Sequence, residues 1–361
     1  MVFFLIILLV YVGINVWLFY GLLQAVAGLP LAAKWAVGIV YWALAFSLML
    51  MQVLRDKDLS PTLGNMLYRI STGWPGFFFY LALFYAVASL LRLTGVQLPH
   101  AFASCAGLTV LLLTYGYIHF RHPVVRQMQL ELPHPNSDTS PLRIVAVSDI
   151  HLGYGIGRSR LRTFVDRINA EHPDLILIAG DLIDMSIVPL KKERMHEELS
   201  RLEAPLGIYM VPGNHEYISG IEESTAFINR TPVTLLRDSM VLLPGGIQLI
   251  GRDDASNRRR KPLKELLASV NPHAPVFVMD HQPANETVSG VIDAGVDFAF
   301  FGHTHRGQLW PLSWLTDALY TQSHGYRSYG RTHIYVSSGL GLWGPPFRIG
   351  TDSELGVIEI P

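Results

Sequence analysis

The sequence predicts a group of membrane-spanning helices followed by a layered α/β domain, and two observations lead to this prediction. First, the chain has 361 residues, but residues 1–119 hold only seven charged side chains while residues 120–361 hold the other fifty. Second, beyond residue 141 short apolar runs alternate with amphipathic segments, a pattern typical of strands and helices packed in layers. We therefore divide the chain into a transmembrane domain (1–119), a linker with an edge strand (120–141) and an α/β domain (142–361).

Four apolar runs lie in the first part of the chain. A membrane-spanning helix needs about 20 apolar residues, and none of these runs has the polar face expected of a helix on the surface of a soluble domain. Helices buried inside a large soluble domain are the less favoured alternative. The predicted helices cover about Val2–Leu23, Leu31–Leu54, Gly76–Leu91 and Ala101–Ile118.

The first run is either a retained helix or a signal peptide, because Ala25-Val26-Ala27 resembles a cleavage site. Retention is favoured, since no Lys or Arg precedes the run. Both alternatives leave the C-terminal domain on the same side of the membrane. Basic residues between the second and third helices and after the fourth predict that this side is cytoplasmic under the positive-inside rule. These residues are Arg55, Lys57, Arg69, Arg121 and Arg126.

The overall composition limits the possible partners. The net charge of −1 at pH 7 gives no reason to expect a nucleic-acid partner. Cys105 is the single cysteine, so no intrachain disulfide can form and an oxidising compartment is not implied. The apolar runs of residues 1–119 make the lipid bilayer the expected partner of the first domain.

After Pro123 the apolar pattern predicts strands and helices in alternation. Gln127–Leu132 alternates like an edge strand, and Pro133–Pro141 is predicted as a loop from its Pro, Asn and Ser content. The predicted strands are Leu142–Ser148, Leu175–Ala179, Ile208–Val211, Val241–Leu243, Ile247–Ile250, Val276–Met279, Phe298–Phe301, Ile334–Val336 and Val357–Ile360. The predicted helices are Ser159–Ala170, Leu190–Leu202, Ile221–Asn229, Leu263–Val270 and Asn285–Ile292.

Polar motifs follow five of these strands at the point where each strand ends. Because sites in α/β sheets assemble beyond the carboxyl ends of the strands, we expect the motifs to converge. A single motif of this kind is more often a turn or a helix cap, but five in succession predict one site. Imidazole and carboxylate groups together suit a transition metal. The motifs are Asp149-x-His151, Gly180-Asp181-x-x-Asp184, Gly213-Asn214-His215-Glu216, Asp280-His281 and Gly302-His303-x-His305.

Together these motifs resemble those of the calcineurin-like metallophosphoesterase superfamily, over about Pro141 to Pro361. The resemblance implies a four-layer αββα sandwich. Tyr335–Gly341 and the following Gly344-Pro345-Pro346 look like the bacterial membrane-associated branch, which implies a multi-pass protein of the bacterial inner membrane. Two positions depart from the family pattern: Arg306 stands where Gly is usual, and Glu216 where Asp is common.

The resemblance also implies a pair of divalent metal ions and a role for each motif residue. Mixed nitrogen and oxygen ligands suit Mn, Fe, Zn or Co, with manganese favoured. Such a pair lowers the pKa of a bound water, so that hydroxide attacks the phosphorus in line. His215 would stabilise charge or protonate the leaving oxygen, and Asp184 would orient a ligand. The implied ligands are Asp149, His151, Asp181 and His305 for one ion, and Asp181, Asn214, His281 and His303 for the other.

The sequence beside the last motif points to an amphiphilic phosphate as substrate. Trp310 and Trp314 lie close to the predicted metal site and could form an apolar rim, and Arg306 would add a positive charge. Ordinary packing under a loop explains the tryptophans equally well. By analogy within the superfamily the substrate would be UDP-2,3-diacylglucosamine or a phospholipid. Two alternatives stay open: an anchored phosphodiesterase for soluble nucleotides, and a membrane scaffold or regulator whose metal domain is not catalytic.

Overall fold

The computed structural model describes residues 2–57, 59–96, 98–132 and 141–361. The predicted loop Pro133–Pro141 therefore lies, apart from Pro141, outside the described residues. Among the described residues, four helices are long and apolar enough to cross a membrane. They are α1 (Val2–Ala25), α2 (Leu31–Leu54), α3 (Pro61–Leu93) and α4 (Ala101–Phe120).

The third helix begins at Pro61 rather than at Gly76, where the predicted helix starts. Polar side chains such as Asn65 and Arg69, together with Pro75 inside the helix, interrupt the apolar pattern and hide this extension from the sequence. Ser60 caps the helix by accepting a hydrogen bond from the backbone N–H of Leu63 at 3.3 Å. The extra turns of α3 do not resemble a membrane span because they pack against the α/β domain.

The α/β domain contains the strands and helices that the sequence predicts, with shifted ends and with one helix divided. Its described residues also contain two strands and two helices that the sequence analysis does not predict, namely Val233–Leu235, Gly325–Tyr329, Asn214–Ile218 and Leu312–Leu319. Its strands are β1 (Val124–Gln129), β2 (Leu142–Val147), β3 (Leu175–Ala179), β4 (Ile208–Val211), β5 (Val233–Leu235), β6 (Ser239–Leu242), β7 (Gln248–Gly251), β8 (Val276–Met279), β9 (Phe298–Phe301), β10 (Gly325–Tyr329), β11 (Thr332–Val336) and β12 (Glu354–Ile360). Its helices are α5 (Arg158–Asn169), α6 (Val188–Lys192), α7 (Met195–Leu199), α8 (Asn214–Ile218), α9 (Ile221–Ile228), α10 (Leu263–Leu267), α11 (Asn285–Asp293) and α12 (Leu312–Leu319).

Two six-stranded sheets form the centre of this domain. One has the strand order β1-β12-β2-β3-β4-β5 and the other the order β10-β11-β9-β8-β7-β6. Strands β2 to β5 are parallel in the first sheet, and β7, β8, β9 and β11 are parallel in the second. Within each sheet, the strands that end in polar motifs run in the same direction, so their carboxyl ends lie at one edge of that sheet.

Side chains alternate across each sheet and build three apolar layers. In β3, Leu175 and Leu177 face the other sheet, while Ile176 and Ile178 face the helices. Apolar side chains fill the space between the sheets, where the rings of Phe277 and Phe298 lie 5.3 Å apart. A third cluster covers the outer face of the second sheet. The order helix, sheet, sheet, helix confirms the predicted four-layer sandwich.

One predicted helix is divided in two. Instead of Leu190–Leu202, the structure has α6 and α7, separated at Arg194, whose φ is 51°. The break lets the carboxylate of Glu193 accept a hydrogen bond from the backbone N–H of Arg158 at 2.7 Å. Arg158 begins α5, so this interaction ties the start of α5 to the break between α6 and α7.

The packing between the sheets predicts a large stability loss when Phe298 is truncated. Phe298 is fully buried, and Phe298→Ala should destabilise the domain by about 3–5 kcal/mol, since it removes a ring and leaves a cavity. Thermal unfolding of the full chain in detergent, followed by near-UV circular dichroism, measures the effect. Leu242→Ala is the control, because Leu242 is 71% exposed on an edge strand and should change stability by less than about 0.5 kcal/mol. Equal shifts for both variants would contradict the assignment.

Candidate metal centre

The loops that follow β2, β3, β4, β8 and β9 meet at one edge of the two sheets. Several residues in these loops adopt left-handed backbone conformations, which are unfavourable for residues other than glycine. Strain of this kind is of order 1–3 kcal/mol per residue and is concentrated at functional sites. The residues concerned are Asp149, His151, Asp181, His303 and His305, with φ between 47° and 72°.

A first group of side chains brings together residues from three of these loops. The Nε2 atoms of His151 and His305 lie 3.1 Å apart. Oδ1 of Asp149 lies 3.5 Å from Nε2 of His305. Oδ2 of Asp181 lies 3.7 Å from Nε2 of His151. The four side chains predicted as ligands of one ion therefore surround one point, and three of them are fully or almost fully buried.

A second group lies beside the first and shares Asp181 with it. Oδ2 of Asp181 lies 3.1 Å from Nε2 of His281. The amide oxygen of Asn214 lies 3.2 Å from that same nitrogen and 3.0 Å from Nδ1 of His303. The two ring nitrogens of His281 and His303 lie 3.2 Å apart. The structure thus brings together all the side chains predicted as ligands of the second ion.

The backbone around Asp181 holds its carboxylate in place between the two groups. The N–H of His215 donates to Oδ1 of Asp181 at 2.9 Å. Gly213 packs so closely that an added Cβ would lie 2.1 Å from the same oxygen. Burial favours the neutral form of Asp181, but the neighbouring His281 outweighs it and lowers the pKa of this carboxyl well below its usual value. Asp181 is therefore ionised, as a metal ligand must be.

Glu216 is a supporting residue whose role the sequence did not indicate. Its carboxylate accepts hydrogen bonds from the backbone N–H groups of Asp181 at 3.0 Å, Ile183 at 2.9 Å and Gly213 at 2.7 Å. Burial, together with the charge of Asp181, raises the pKa of Glu216 to about 7. The glutamate, which stands where the family commonly has Asp, thus ties the loop after β3 to the loop after β4.

The ring nitrogens of the histidines face one another and the carboxylates, and their pKa values are shifted in both directions. His281 Nδ1 lies 2.8 Å from the carbonyl oxygen of Ala179, so its Nε2 faces Asp181. Burial lowers the pKa of His281, but the charge of Asp181 outweighs burial and places this pKa well above its ordinary value. Burial and then the neighbouring His281 lower the pKa of His303 to about 4. Burial, with His151 nearby, also places the pKa of His305 well below its ordinary value. His303 and His305 are therefore neutral, the form that binds a metal, whereas a cation at His281 would have to displace its proton.

These donors fit divalent metal ions. Facing ring nitrogens at 3.1 and 3.2 Å can share at most one proton per pair, whereas a cation accepts lone pairs from both. Within the described residues, three sets of His and Asp donor atoms lie within 4.8 Å of one another. One set includes His215, whose Nδ1 lies 2.8 Å from the carbonyl oxygen of Asp184, so that only its Nε2 can face the centre. His215 lies next to both predicted ligand sets and belongs to neither of them.

Asp184 lies behind two of the histidine rings. One of its carboxylate oxygens, Oδ1, is 3.4 Å from Nδ1 of His151 and 3.4 Å from Nδ1 of His215. A carboxylate behind a metal-binding histidine usually fixes the orientation of the ring. The position of Asp184 is thus compatible with the predicted orienting role.

Arg348 is a second residue that the sequence did not indicate. Its side chain is fully buried, and its guanidinium donates to the carbonyl oxygens of His305 at 2.9 Å and Gly341 at 2.8 Å. Its backbone N–H donates to the carbonyl oxygen of Gly116 in α4 at 3.0 Å. The loop that supports His305 is therefore fastened to a membrane helix.

A cavity of about 390 Å³ adjoins the centre and is lined by both polar and apolar residues. The polar lining includes Asp181, Asn214, His215, His303 and His305. The apolar lining is formed by Leu309, Leu312, Trp343 and Pro345. Arg306, Trp310 and Trp314 are not among the lining residues: Arg306 is half-buried, while Trp310 and Trp314 are exposed and pack edge to face, 5.3 Å apart. Trp343, which the sequence did not indicate, stands in the wall instead.

Comparisons with known proteins identify the family of this chain. A family model described as calcineurin-like phosphoesterase matches residues 142–307. An uncharacterized metallophosphoesterase of Helicobacter pylori (strain J99) is 33% identical over 260 residues, which cover 70% of this chain and 69% of the relative.

Two further relatives differ in their descriptions. A transmembrane protein with metallophosphoesterase domain from Danio rerio is 31% identical over 264 residues, covering 69% of this chain and 60% of the relative. The UDP-2,3-diacylglucosamine pyrophosphatase LpxG of Chlamydia trachomatis is 24% identical over 279 residues, covering 61% and 84% respectively. The resemblance inferred from the motifs is confirmed, and this chain belongs to the calcineurin-like metallophosphoesterases, metal-dependent hydrolases of phosphoesters.

Proposed function

We propose that this chain hydrolyses a phosphoester or pyrophosphate bond in a lipid-linked or otherwise amphiphilic phosphate, using two divalent metal ions. The observation that carries the proposal is the cavity, whose lining combines metal-type donors with apolar side chains. A substrate with a phosphate at one end and acyl chains at the other matches both kinds of lining. The similarity to LpxG supports this choice, because that relative is named for a diacylated sugar nucleotide.

In this proposal the two groups of side chains each hold one ion and Asp181 is shared. Nitrogen and oxygen donors together suit manganese, iron, zinc or cobalt, and manganese is favoured. When bound, the ions supply an activated water and neutralise charge on the phosphate oxygens. The ligands are Asp149, His151, Asp181 and His305 for one ion, and Asp181, Asn214, His281 and His303 for the other.

His215 is proposed as the residue that assists the leaving oxygen. Its Nδ1 donates to the carbonyl oxygen of Asp184, so its Nε2 is left for a ligand in the cavity. Burial and the neighbouring His151 lower the pKa of His215, which makes the ring neutral before substrate binds. A phosphate anion in the cavity favours the protonated ring, and the proton can then pass to the leaving oxygen.

The apolar lining of the cavity supports an acyl-chain site because it is continuous with the membrane helices. Leu309 packs with Tyr80 of α3 and Leu113 of α4 in one buried cluster. The hydroxyl of Tyr80 donates to the carbonyl oxygen of Trp310 at 2.6 Å. Trp314 is 65% exposed on α12 beside this cluster. We propose that Trp310 and Trp314 contact the lipid part of the substrate and that Arg306 contacts its charged part.

The proposed location is the cytoplasmic face of a bacterial inner membrane. The C-terminal end of α4 contacts the α/β domain, since Arg160 donates to the carbonyl oxygen of Phe120 at 2.9 Å. The segment before α3 does so as well, because Lys192 donates to the carbonyl oxygen of Leu59 at 2.6 Å. Arg55, Lys57 and Arg121 are on this same side, and basic residues favour the cytoplasm.

Substitution of the shared carboxylate should remove metal. In Asp181→Asn the affinity for both ions should fall by more than about 100-fold, because one negative charge serves both sites. This loss is larger than that expected when a group that only hydrogen-bonds to a metal ligand is removed. Elemental analysis after dialysis of the full chain in detergent measures the content. Asp166→Asn, an exposed aspartate of α5, is the control and should keep two ions. Two retained ions in Asp181→Asn would contradict the shared ligand.

Substitution of His215 should separate catalysis from metal binding. His215→Ala should lower kcat for bis(p-nitrophenyl) phosphate by about 10²–10⁴-fold, the usual contribution of a proton-transferring group, with metal content unchanged. His273→Ala, which alters an exposed histidine, is the matched control. Wild-type turnover in His215→Ala would remove His215 from the mechanism.

Substitution in the apolar wall should affect lipid substrates selectively. Leu312→Ala should lower kcat/KM for UDP-2,3-diacylglucosamine by about 10-fold, since lost apolar contact in a pocket is worth that much or more. Hydrolysis of bis(p-nitrophenyl) phosphate should change by less than about twofold. Leu319→Ala, on the same helix and 59% exposed, is the control. Soluble nucleotides cleaved equally well with and without lipid, and unaffected by Leu312→Ala, would instead favour the nucleotide alternative.

A further inference from the structure

The first part of α3 extends beyond the length that a bilayer requires. Its 33 residues make a helix about 50 Å long, whereas the hydrocarbon core is about 30 Å thick. The N-terminal turns therefore emerge on the side of the α/β domain. They carry Tyr68, which is buried although it lies near the end of a membrane helix.

Tyr68 contacts the carboxylate that lies behind the metal centre. Its hydroxyl donates to Oδ2 of Asp184 at 2.7 Å, and both residues are buried. In this bond the tyrosine hydroxyl is the donor and the carboxylate oxygen is the acceptor.

Close packing holds the Tyr68 ring in this position. An added Cβ on Gly155 would lie 2.6 Å from Cε1 of Tyr68. In the same interface, an added Cβ on Gly64 of α3 would lie 2.2 Å from Cε1 of Tyr154. A side chain at either glycine would force the helix and the loop apart. The close contact between α3 and the loop after β2 therefore requires glycine at both positions.

The other oxygen of Asp184 makes longer contacts with the histidines. Its distances to Nδ1 of His151 and of His215 are both 3.4 Å, which is long for a hydrogen bond. These contacts alone do not fix the carboxylate. The short hydrogen bond from Tyr68 holds the carboxylate in place, because hydrogen bonds to a carboxylate are about twice as strong as bonds between neutral groups.

We infer that Tyr68 is a positioning residue of the metal centre, supplied by a membrane helix. It orients the carboxylate of Asp184, which in turn orients the ring of His151 through Nδ1. The inference rests on the proposed metal-binding role of His151. Its consequence is that the helices contribute directly to the site, in addition to holding the enzyme at the membrane.

The test compares Mn²⁺ binding by the full chain in detergent, measured by equilibrium dialysis and elemental analysis. Tyr68→Phe keeps the ring and removes the hydroxyl, so the fold should be retained. We expect the affinity for one of the two ions to fall by about 10-fold, within the range for outer partners of metal ligands. kcat for bis(p-nitrophenyl) phosphate should fall with it, while KM should change little.

A double-mutant cycle separates positioning from general destabilisation. If Tyr68 acts through Asp184, then Tyr68→Phe should have no further effect on Mn²⁺ affinity in an Asp184→Ala background. Tyr80→Phe is the matched control, because it removes another buried hydroxyl bond between α3 and the same domain, and Mn²⁺ affinity should not change.

Each result is decisive. Coupled effects of Tyr68→Phe and Asp184→Ala support the inference. Wild-type affinity in Tyr68→Phe, or effects that simply add, would overturn it while leaving the proposed function intact. A wild-type chain that binds none of Mn²⁺, Fe²⁺, Zn²⁺ and Co²⁺ would instead overturn the proposed function, and this inference with it.

Discussion

The structure depends on keeping one carboxylate ionised where almost no water reaches it. Asp181 is 2% exposed and lies between two sets of imidazoles. Its charge is compensated locally by the N–H of His215 and by His281, and its loop is held by the buried carboxylate of Glu216. Burying a charge without such partners would be strongly unfavourable. The two sheets, the left-handed loops and the glycine at position 213 all serve to bring these compensating groups to one point.

The membrane helices and the α/β domain form a continuous packed structure. Tyr68 and Tyr80 of α3 donate hydrogen bonds into the domain, and Gly116 of α4 accepts one from Arg348. A buried apolar cluster joins α3, α4 and the loop around Ile349. Extensive apolar contact of this kind limits independent movement of two domains. The cavity is therefore held at a defined position relative to the bilayer.

The strand-end motifs could be predicted from the sequence because each is a short, contiguous pattern directly after an apolar run. The alternating order of the elements followed from the same runs. The supporting residues could not be found in this way. Tyr68 and Asp184 are 116 positions apart, and Arg348 and His305 are 43 apart, so neither pair leaves a local pattern. The start of α3 leaves no apolar pattern for a related reason, because its polar side chains face the α/β domain and not lipid. Trp343 lies in an irregular loop, where no periodic pattern in the sequence indicates which way its side chain points.

The contact at Gly116 has a consequence for how such proteins can change over time. An added Cβ at Gly116 would lie 2.7 Å from the side chain of Ile349. Arg348, which directly precedes Ile349 in the chain, donates a hydrogen bond to the carbonyl oxygen of His305. Membrane helices from another protein, even if equally hydrophobic, would not place a glycine opposite Ile349. The anchor is thus not an exchangeable module, and its sequence is constrained by chemistry taking place outside the bilayer.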